Sequence, residues 1–322
     1  MNKIEQDFHD LILRNNFDAF LRRCLMTLNP GQPYLPNWHI SAIAHQLDRV
    51  RRGKVRRLII NMPPRHLKSL TVSVAFAAFL LGHEPWHRIF TISYGSELSS
   101  KHASDFRSIV EAPWYRRAFN MRIARSLENE VSTTARGFRK ATSVYGTLTG
   151  LGGDIFVIDD PQKPVDAQSD TQRNALNQWV SNTLMSRLDS KERGVVIVVM
   201  QRVHLNDLSG YLIESGDWTV LSLPAIAEQD EVIAIGDDEF HRRRAGEALH
   251  PELESEGSLR NLQRQIGSDV FAAQYQQCPV PPGGAMIRRE WLRYYDHLPE
   301  RTYRAQVIQS WDTAAKDGAQ ND

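Results

Sequence analysis

Along the first 28 residues, Ile4, Phe8, Leu11, Ile12, Phe17, Phe20, Leu21 and Leu25 recur at mostly three- and four-residue intervals, until Asn29-Pro30-Gly31 breaks the pattern. That spacing puts the apolar side chains on one helical face and predicts one or two amphipathic helices. A second helical pattern over 38–52 leads through Gly53 into the short apolar run 57–62, which has the length and turn-bounded ends of a buried parallel strand. Further runs of this kind lie at 88–94, 154–158, 194–200 and 218–223, with helical patterns between most of them. Strands alternating with helices predict an α/β fold, a doubly wound and mainly parallel sheet with flanking helices. Two shorter β-like runs, 131–134 and 141–145, predict a hairpin on this core. Over 224–257 the apolar periodicity disappears, which predicts a mobile or peripheral excursion; a helix is expected over 259–277, and the Pro- and Gly-rich stretch 278–284 has the composition of a linker. The expected organisation is a helical region at 1–56, a core at 57–223, a peripheral and linker segment at 224–284, and a further piece at 285–322.

Composition alters this picture little. The 322 residues, 41% hydrophobic and 24% charged, suffice for one large core with a subsidiary piece. Lys plus Arg (39) nearly balances Asp plus Glu (38), so any contact with nucleic acid has to come from local patches. The candidates are Arg49, Arg51, Arg52, Lys54, Arg56 and Arg57, then Arg116 and Arg117, then Arg242, Arg243 and Arg244; each cluster is equally readable as a solvated face. Cys24 and Cys278 stand in no metal- or disulfide-like spacing, which fits a reducing compartment. Glu5, Asp7 and Asp10 precede any apolar run, and the longest apolar stretch, 72–81, is too short to span a bilayer, so a cytoplasmic protein without membrane contact is expected.

The candidate chemistry begins at Met62-Pro63-Pro64-Arg65-His66-Leu67-Lys68-Ser69, between a predicted strand and an apolar helix. This strand–loop–helix setting is what a phosphate-binding loop requires. Pro64, Arg65, His66 and Leu67 would wrap phosphate oxygens with backbone, Lys68 would reach the β- and γ-phosphates of ATP, and Ser69 would offer its hydroxyl to Mg²⁺. Both glycine positions of G-x-x-x-x-G-K-[ST] are filled by other residues, Met62 and Leu67. The second element is the apolar run Ile155-Phe156-Val157-Ile158, ending in Asp159-Asp160, 91 residues after Lys68. Two carboxylates at a buried strand end need a cation or polar partners. Asp159 would order Mg²⁺ and Asp160 would act as general base on the attacking water, although a pair of aspartates capping the turn before Pro161 has the same sequence. In ATPases with an extra strand between the two nucleotide motifs, polar residues ending that strand sense the γ-phosphate; Gln201, Arg202 and His204 occupy such positions. The alternative is a surface turn, with Asp207 capping the next helix. Arg65 could contact the γ-phosphate within its own subunit or only order phosphate. Trp38, His39 and Gln46 could form an adenine platform, and Trp38 is also readable as a core residue.

Taken together and in order, MPPRHLKS, TISYGSELSSKHASDFRSIV, TGLGGDIFVIDDPQK, MQRVHLNDLSG, FAAQYQQCPVPPGG and QSWDTAAK resemble the large subunit of tailed-bacteriophage terminases over nearly the whole chain. The resemblance implies an N-terminal ATPase of the P-loop type that drives double-stranded phage DNA into the procapsid. Its partners would be a small terminase subunit, the portal protein and further copies of itself in a ring, in the bacterial host cytoplasm. It also implies a C-terminal RNase H-like nuclease. By resemblance Lys68 and Ser69 match the phosphate loop, Asp159 the Mg²⁺ aspartate, Asp160 the catalytic acid, and 200–207 the motif coupling hydrolysis to DNA movement. Two departures stand out. Related chains often read Thr-Arg-Trp-His where this one has Gln201-Arg202-Val203-His204. Of the nuclease, Asp312 matches the first metal aspartate, with Asp317 and Asp322 beside it, whereas a two-metal site needs several carboxylates from separate strands. The expectation is a motor without a competent endonuclease, a truncated, split or prophage-remnant form, in which Mg²⁺ or Mn²⁺ nuclease metals enter only if that domain is completed. A non-catalytic assembly subunit and a helicase-like translocase are the competing readings.

Overall fold

The computed structural model describes residues 2–146, 148 and 150–280. The first apolar pattern folds as two helices, α1 (Lys3–Asn15) and α2 (Phe17–Leu28). Asn2 and Glu5 cap α1 reciprocally, and Asn16 both ends α1 and caps α2. After α3 (Trp38–Arg51) comes β1 (Arg57–Asn61), then a π-wound stretch, Leu70–Phe76, that runs into α4 (Ala77–His83). The chain continues through β2 (Arg88–Ser93), α5 (Ser96–Val110), α6 (Pro113–Ala118), β3 (Ile123–Ser126), β4 (Glu130–Thr133) and β5 (Phe138–Ser143). Next are β6 (Ile155–Asp159), α7 (Asp170–Gln178), β7 (Val195–Met200), α8 (Leu208–Glu214) and β8 (Thr219–Ser222), before the hairpin β9 (Glu231–Ala234) and β10 (Phe240–Arg243) and the helices α9 (Glu256–Ile266) and α10 (Ser268–Gln274).

Eight strands make one sheet in the order β3-β4-β5-β2-β6-β7-β1-β8. From β5 to β8 every pairing is parallel; β3 and β4 add an antiparallel edge. The sheet is covered on both faces, and strand alternation assigns the sides. Leu58, Ile60, Ile89, Val157 and Ile197 join a core with α2 to α6, while Ile59, Phe90, Phe156, Ile158 and Val198 join a second core with α7 and α8. On the first side Phe20, fully buried, meets the rings of Phe79, Trp114 and Phe119 at 5.3, 5.6 and 5.6 Å between centroids, edge-on or tilted. This aromatic cluster anchors the helix that follows the loop 62–69.

The doubly wound sheet agrees with the sequence pattern, and three details differ. The hairpin expected at 131–134 and 141–145 starts earlier, as β4 and β5, and gains β3 as an edge strand. The helix expected at 259–277 is two, α9 and α10, because Gly267 at φ +88° interrupts it. The segment 224–257 is folded: it carries the β9–β10 hairpin, and Arg243, 1% exposed, bonds to Glu231 Oε1 and to the carbonyls of Ala225 and Glu247. No periodicity marks this hairpin, because Val232 and Phe240 point outward while an arginine is the buried member. Chain folding through Pro279 belongs to one compact unit. Asp312, Asp317, Asp322 and the expected nuclease segment lie outside the described residues, and among those described no helix is long and apolar enough to cross a membrane.

Candidate nucleotide site

The carboxyl ends of β1, β6 and β7 meet at one edge of the sheet, where open α/β folds bind ligands. β7 lies between β1 and β6, and its register aligns Met200 with Asn61 and Val199 with Asp159. The extra strand between the two nucleotide motifs is therefore present. In the loop after β1, Arg65 and Leu67 adopt φ of +67° and +62°. Leu67 is the position of the motif's second glycine, so the loop keeps a left-handed turn without the residue that makes it easy. Each such residue costs roughly 1–2 kcal/mol, strain of the kind that gathers at functional sites.

That conformation brings the loop and the acidic pair together. Lys68, 6% exposed, places Nζ 2.9 Å from Asp160 Oδ2. The Ser69 hydroxyl donates to Asp159 Oδ1 at 2.9 Å, and the Ser73 hydroxyl donates to Oδ2 at 2.6 Å. Ser73 was not marked by any motif; the signal for it is a second hydroxyl four residues after Ser69, on the π-wound stretch that turns both toward Asp159. Asp160 itself is left-handed, at φ +41°, and its Oδ1 accepts from the Gln201 backbone N–H at 3.1 Å.

Asp159 is wholly buried, and burial, then the charge of Asp160, raises its proton affinity above the usual carboxylate range; Ser73, Lys68 and Ser69 oppose the rise. His102 from α5 sets Nδ1 3.6 Å from Asp159 Oδ2, and burial with the nearby Arg139, Lys101 and Lys68 charges lowers its pKa to about 3. Arg139 on β5, also buried, is lowered to about 9 by desolvation despite Asp159 and Asp105; its Nε and Nη1 have no partner among the described residues. The donor set at Asp159, one carboxylate and hydroxyl oxygens, suits a hard cation. Among the described residues no group of three or more His, Cys, Asp or Glu side chains could hold a metal. Phosphate oxygens and water would therefore complete the shell of a Mg²⁺ ion here, which is how Mg²⁺ is usually bound.

Two cavities flank the phosphate loop. One, of about 410 Å³, is lined by Asn29, Arg65, Lys68, Ser69, Lys101 and His102. The other, of about 230 Å³, is walled by Tyr34, Leu35, His39, His66, His250 and Leu253. Tyr34 Oη, His39 Nε2 and His250 Nε2 are buried with no partner among the described residues, so this mostly apolar cavity offers unspent hydrogen-bonding groups. Of the expected adenine platform only His39 reaches it. Trp38 stacks on His241 instead, 4.4 Å between centroids and 9° from parallel, with the Arg243 guanidinium 5.7 Å from its ring, and the Gln46 amide oxygen accepts from Arg49. The β9–β10 hairpin, illegible in the sequence, claims Trp38.

Burial and the neighbouring His66 and His250 lower the His39 pKa to about 3. A histidine depressed in the fold takes up its proton on unfolding near its ordinary 6.5, so its contribution is intact above pH 6.5 and is lost as pH falls from there toward 3. His39 and His102 should each remove about 1.4 kcal/mol of stability between pH 7.5 and 5.5. Because Asp159, whose pKa is raised, changes stability in the opposite sense over this range, the check is urea unfolding of His39→Gln beside the wild type at both pH values: the variant should lose about 1.4 kcal/mol less on acidification.

At the end of β7, Arg202 and His204, two of the expected γ-phosphate sensors, are engaged locally. Arg202 Nε donates to both Asp207 oxygens at 3.0 Å, and Nη2 donates to the carbonyls of His204 and Leu205. Asp207 caps α8 through the Gly210 N–H, and His204 Nδ1 accepts from the Asn206 N–H. Arg202 and His204 thus build a tight turn. Gln201 is the group left over: its Oε1 is buried with no partner among the described residues. Many of the basic candidates are engaged locally, Arg51 and Arg52 by Asp48, Arg117 by Asp10 and Arg57 by the Gly194 carbonyl.

No protein-family model matches the chain, and no curated protein does. Solved structures do. The large terminase of bacteriophage HK97 is 16% identical over 73% of this chain and 47% of its own, with a TM-score of 0.43. The matched structures are phage large terminases. The ATPase domain of the Thermus phage P74-26 large terminase is 12% identical over 76% of this chain and 93% of its own, at TM-score 0.49. The large terminase of a thermophilic bacteriophage, solved with ADP, is 8% identical over 79% and 52%, at TM-score 0.41. The chain matches about half the length of the HK97 protein.

Proposed function

We propose that this chain is the ATP-hydrolysing motor of a terminase large subunit, which moves double-stranded phage DNA into a procapsid. The observation that carries the ATPase reading is the double link between loop and acidic pair: Lys68 to Asp160 at 2.9 Å and Ser69 to Asp159 at 2.9 Å, across a sheet with β7 between their strands. The order of sequence motifs, which resembles that of terminase large subunits, carries the step from hydrolysis to DNA packaging.

In this reading, Lys68 exchanges its partner Asp160 for the β- and γ-phosphates when nucleotide enters. Asp160, released, accepts a proton from the attacking water, and the Gln201 amide orders that water or the γ-phosphate. Arg65 faces the phosphates from its strained position. The base enters the 230 Å³ cavity, where Tyr34, His39 and His250 offer hydrogen bonds. A Mg²⁺ ion held by Ser69 and Asp159 would neutralise phosphate charge. The small terminase subunit, the portal and further copies of the chain in a ring are the proposed partners, in a host cytoplasm. The purified chain should hydrolyse ATP only with Mg²⁺, and linear double-stranded DNA together with portal-bearing procapsids should raise turnover. Nucleotide binding without turnover under all these conditions would contradict the motor and favour an assembly subunit.

A further inference from the structure

The stretch around FAAQYQQCP has no part in the chemistry above, yet one of its residues reaches the catalytic strand. Gln277 lies just past α10, 6% exposed, at a left-handed φ of +57°. Its side-chain Oε1 accepts from the Arg202 backbone N–H at 3.0 Å, and its Nε2 donates to the Gln274 carbonyl at 2.7 Å. The preceding backbone N–H, that of Gln201, donates to Asp160 Oδ1 at 3.1 Å. Two consecutive N–H groups at the end of β7 are therefore held from opposite sides, one by the acidic residue proposed as general base and one by Gln277.

The base of this contact is firmly fixed. Gln276 accepts from the Ile226 N–H and donates to the Ile226 carbonyl, both at 2.9 Å, and the Cys278 N–H bonds to the Ala272 carbonyl at 2.8 Å. On the far side Arg202 is tied to Asp207. The left-handed Gln277 closes the end of α10, where the Cys278 N–H reaches back to the Ala272 carbonyl, and this cap fixes the backbone from which its amide meets the Arg202 N–H.

We infer that Gln277 is a positioning residue for ATP hydrolysis: by holding the Arg202 N–H it sets where Gln201 and Asp160 stand relative to the γ-phosphate, and so links the segment after β8 to the catalytic centre. The inference rests on the ATPase reading. Because the residue acts through Asp160 and Gln201 and touches no nucleotide, its loss should lower kcat and leave the KM for ATP within about twofold. A small displacement of a catalytic group costs roughly 10- to 100-fold in rate.

Three variants separate this role from a structural one. Asparagine tolerates the left-handed backbone and is one methylene too short to reach Arg202, so Gln277→Asn should lower kcat roughly 10-fold or more. Glutamate keeps the acceptor for the Arg202 N–H but loses the donor to the Gln274 carbonyl, so Gln277→Glu should retain more of the rate than Gln277→Asn without matching the wild type. Gln277→Gly relieves the left-handed backbone, which offsets part of the cost of the two lost hydrogen bonds, and should match Gln277→Asn in rate. Amide exchange, read without turnover, should be faster at the Arg202 N–H in Gln277→Asn than in wild type or Gln277→Glu. Equal kcat for wild type and Gln277→Asn, in a wild type that turns over, would overturn the role of Gln277 alone; unchanged exchange at Arg202 would do the same. A wild type with no turnover at all would overturn the ATPase reading and this role with it.

Discussion

An Asp159→Asn chain should unfold at a higher temperature than the wild type and hydrolyse ATP at least roughly 10³-fold more slowly. Both effects follow from one buried group. Asp159 is wholly inaccessible and follows four apolar residues of a central strand, with Asp160 next to it. Burial and the neighbouring charge raise its pKa, so the ionised carboxylate is penalised in the fold at every pH above the raised value. The sign is set by linkage: the folded state binds this proton more tightly than the unfolded chain, so stability falls as pH rises toward 8. An amide of the same shape carries no charge, and the Ser69 and Ser73 hydroxyls can rotate to serve it as donor or acceptor. The gain should be on the order of 2 kcal/mol at pH 8, or roughly 4–8 °C in Tm, and it should shrink as pH is lowered. The same substitution removes the anionic oxygen that a Mg²⁺ ion would use. Paired thermal unfolding and turnover measurements check it. A less stable variant would mean that the hydrogen bonds to Ser69 and Ser73 outweigh the buried charge; an active one would remove Asp159 from the metal site.

The sheet was legible because its central strands are buried on both faces, and runs such as Ile155-Phe156-Val157-Ile158 have no other use. The acidic pair and Lys68-Ser69 were legible because each stands at the junction of a run with polar residues. What the pattern could not show was assembled from distant segments. Tyr34 and His250 join His39 in walling one cavity, and of the three only His39 stands among the candidates read from the sequence, because His250 comes from a segment more than 200 residues away. Trp38 had an aromatic surface suited to a base, but the hairpin that covers it hides its own burial behind Arg243 and exposed Val232. Arg202 was visible as a charge at the right place, and only Asp207, five residues on, decides that its guanidinium closes a turn. The missing glycines of the phosphate loop misled in the other direction: Arg65 and Leu67 take the left-handed conformation regardless. A local rule broken at a site is there a mark of function.

Lys68 is the residue on which the ATPase reading turns. It is 6% exposed, lies at the start of the helix anchored by the aromatic cluster, and is the cation that faces Asp160 at 2.9 Å. In the ATPase reading, removing it would deprive the phosphates of a buried positive charge, and in any reading it leaves two adjacent carboxylates to repel each other in a poorly solvated place. The first loss should cost roughly 10²–10³ or more in turnover, as for other preorganised groups in water-excluded sites. The second should lower stability, and it should favour protonation of Asp159, so the Lys68→Ala chain should recover stability as pH falls toward 6.5. A folded Lys68→Ala protein, verified by its unfolding transition, is then assayed beside the wild type for Mg²⁺-dependent release of phosphate from ATP. Turnover is expected in the wild type and a background rate in Lys68→Ala; equal rates in the two would overturn the ATPase reading.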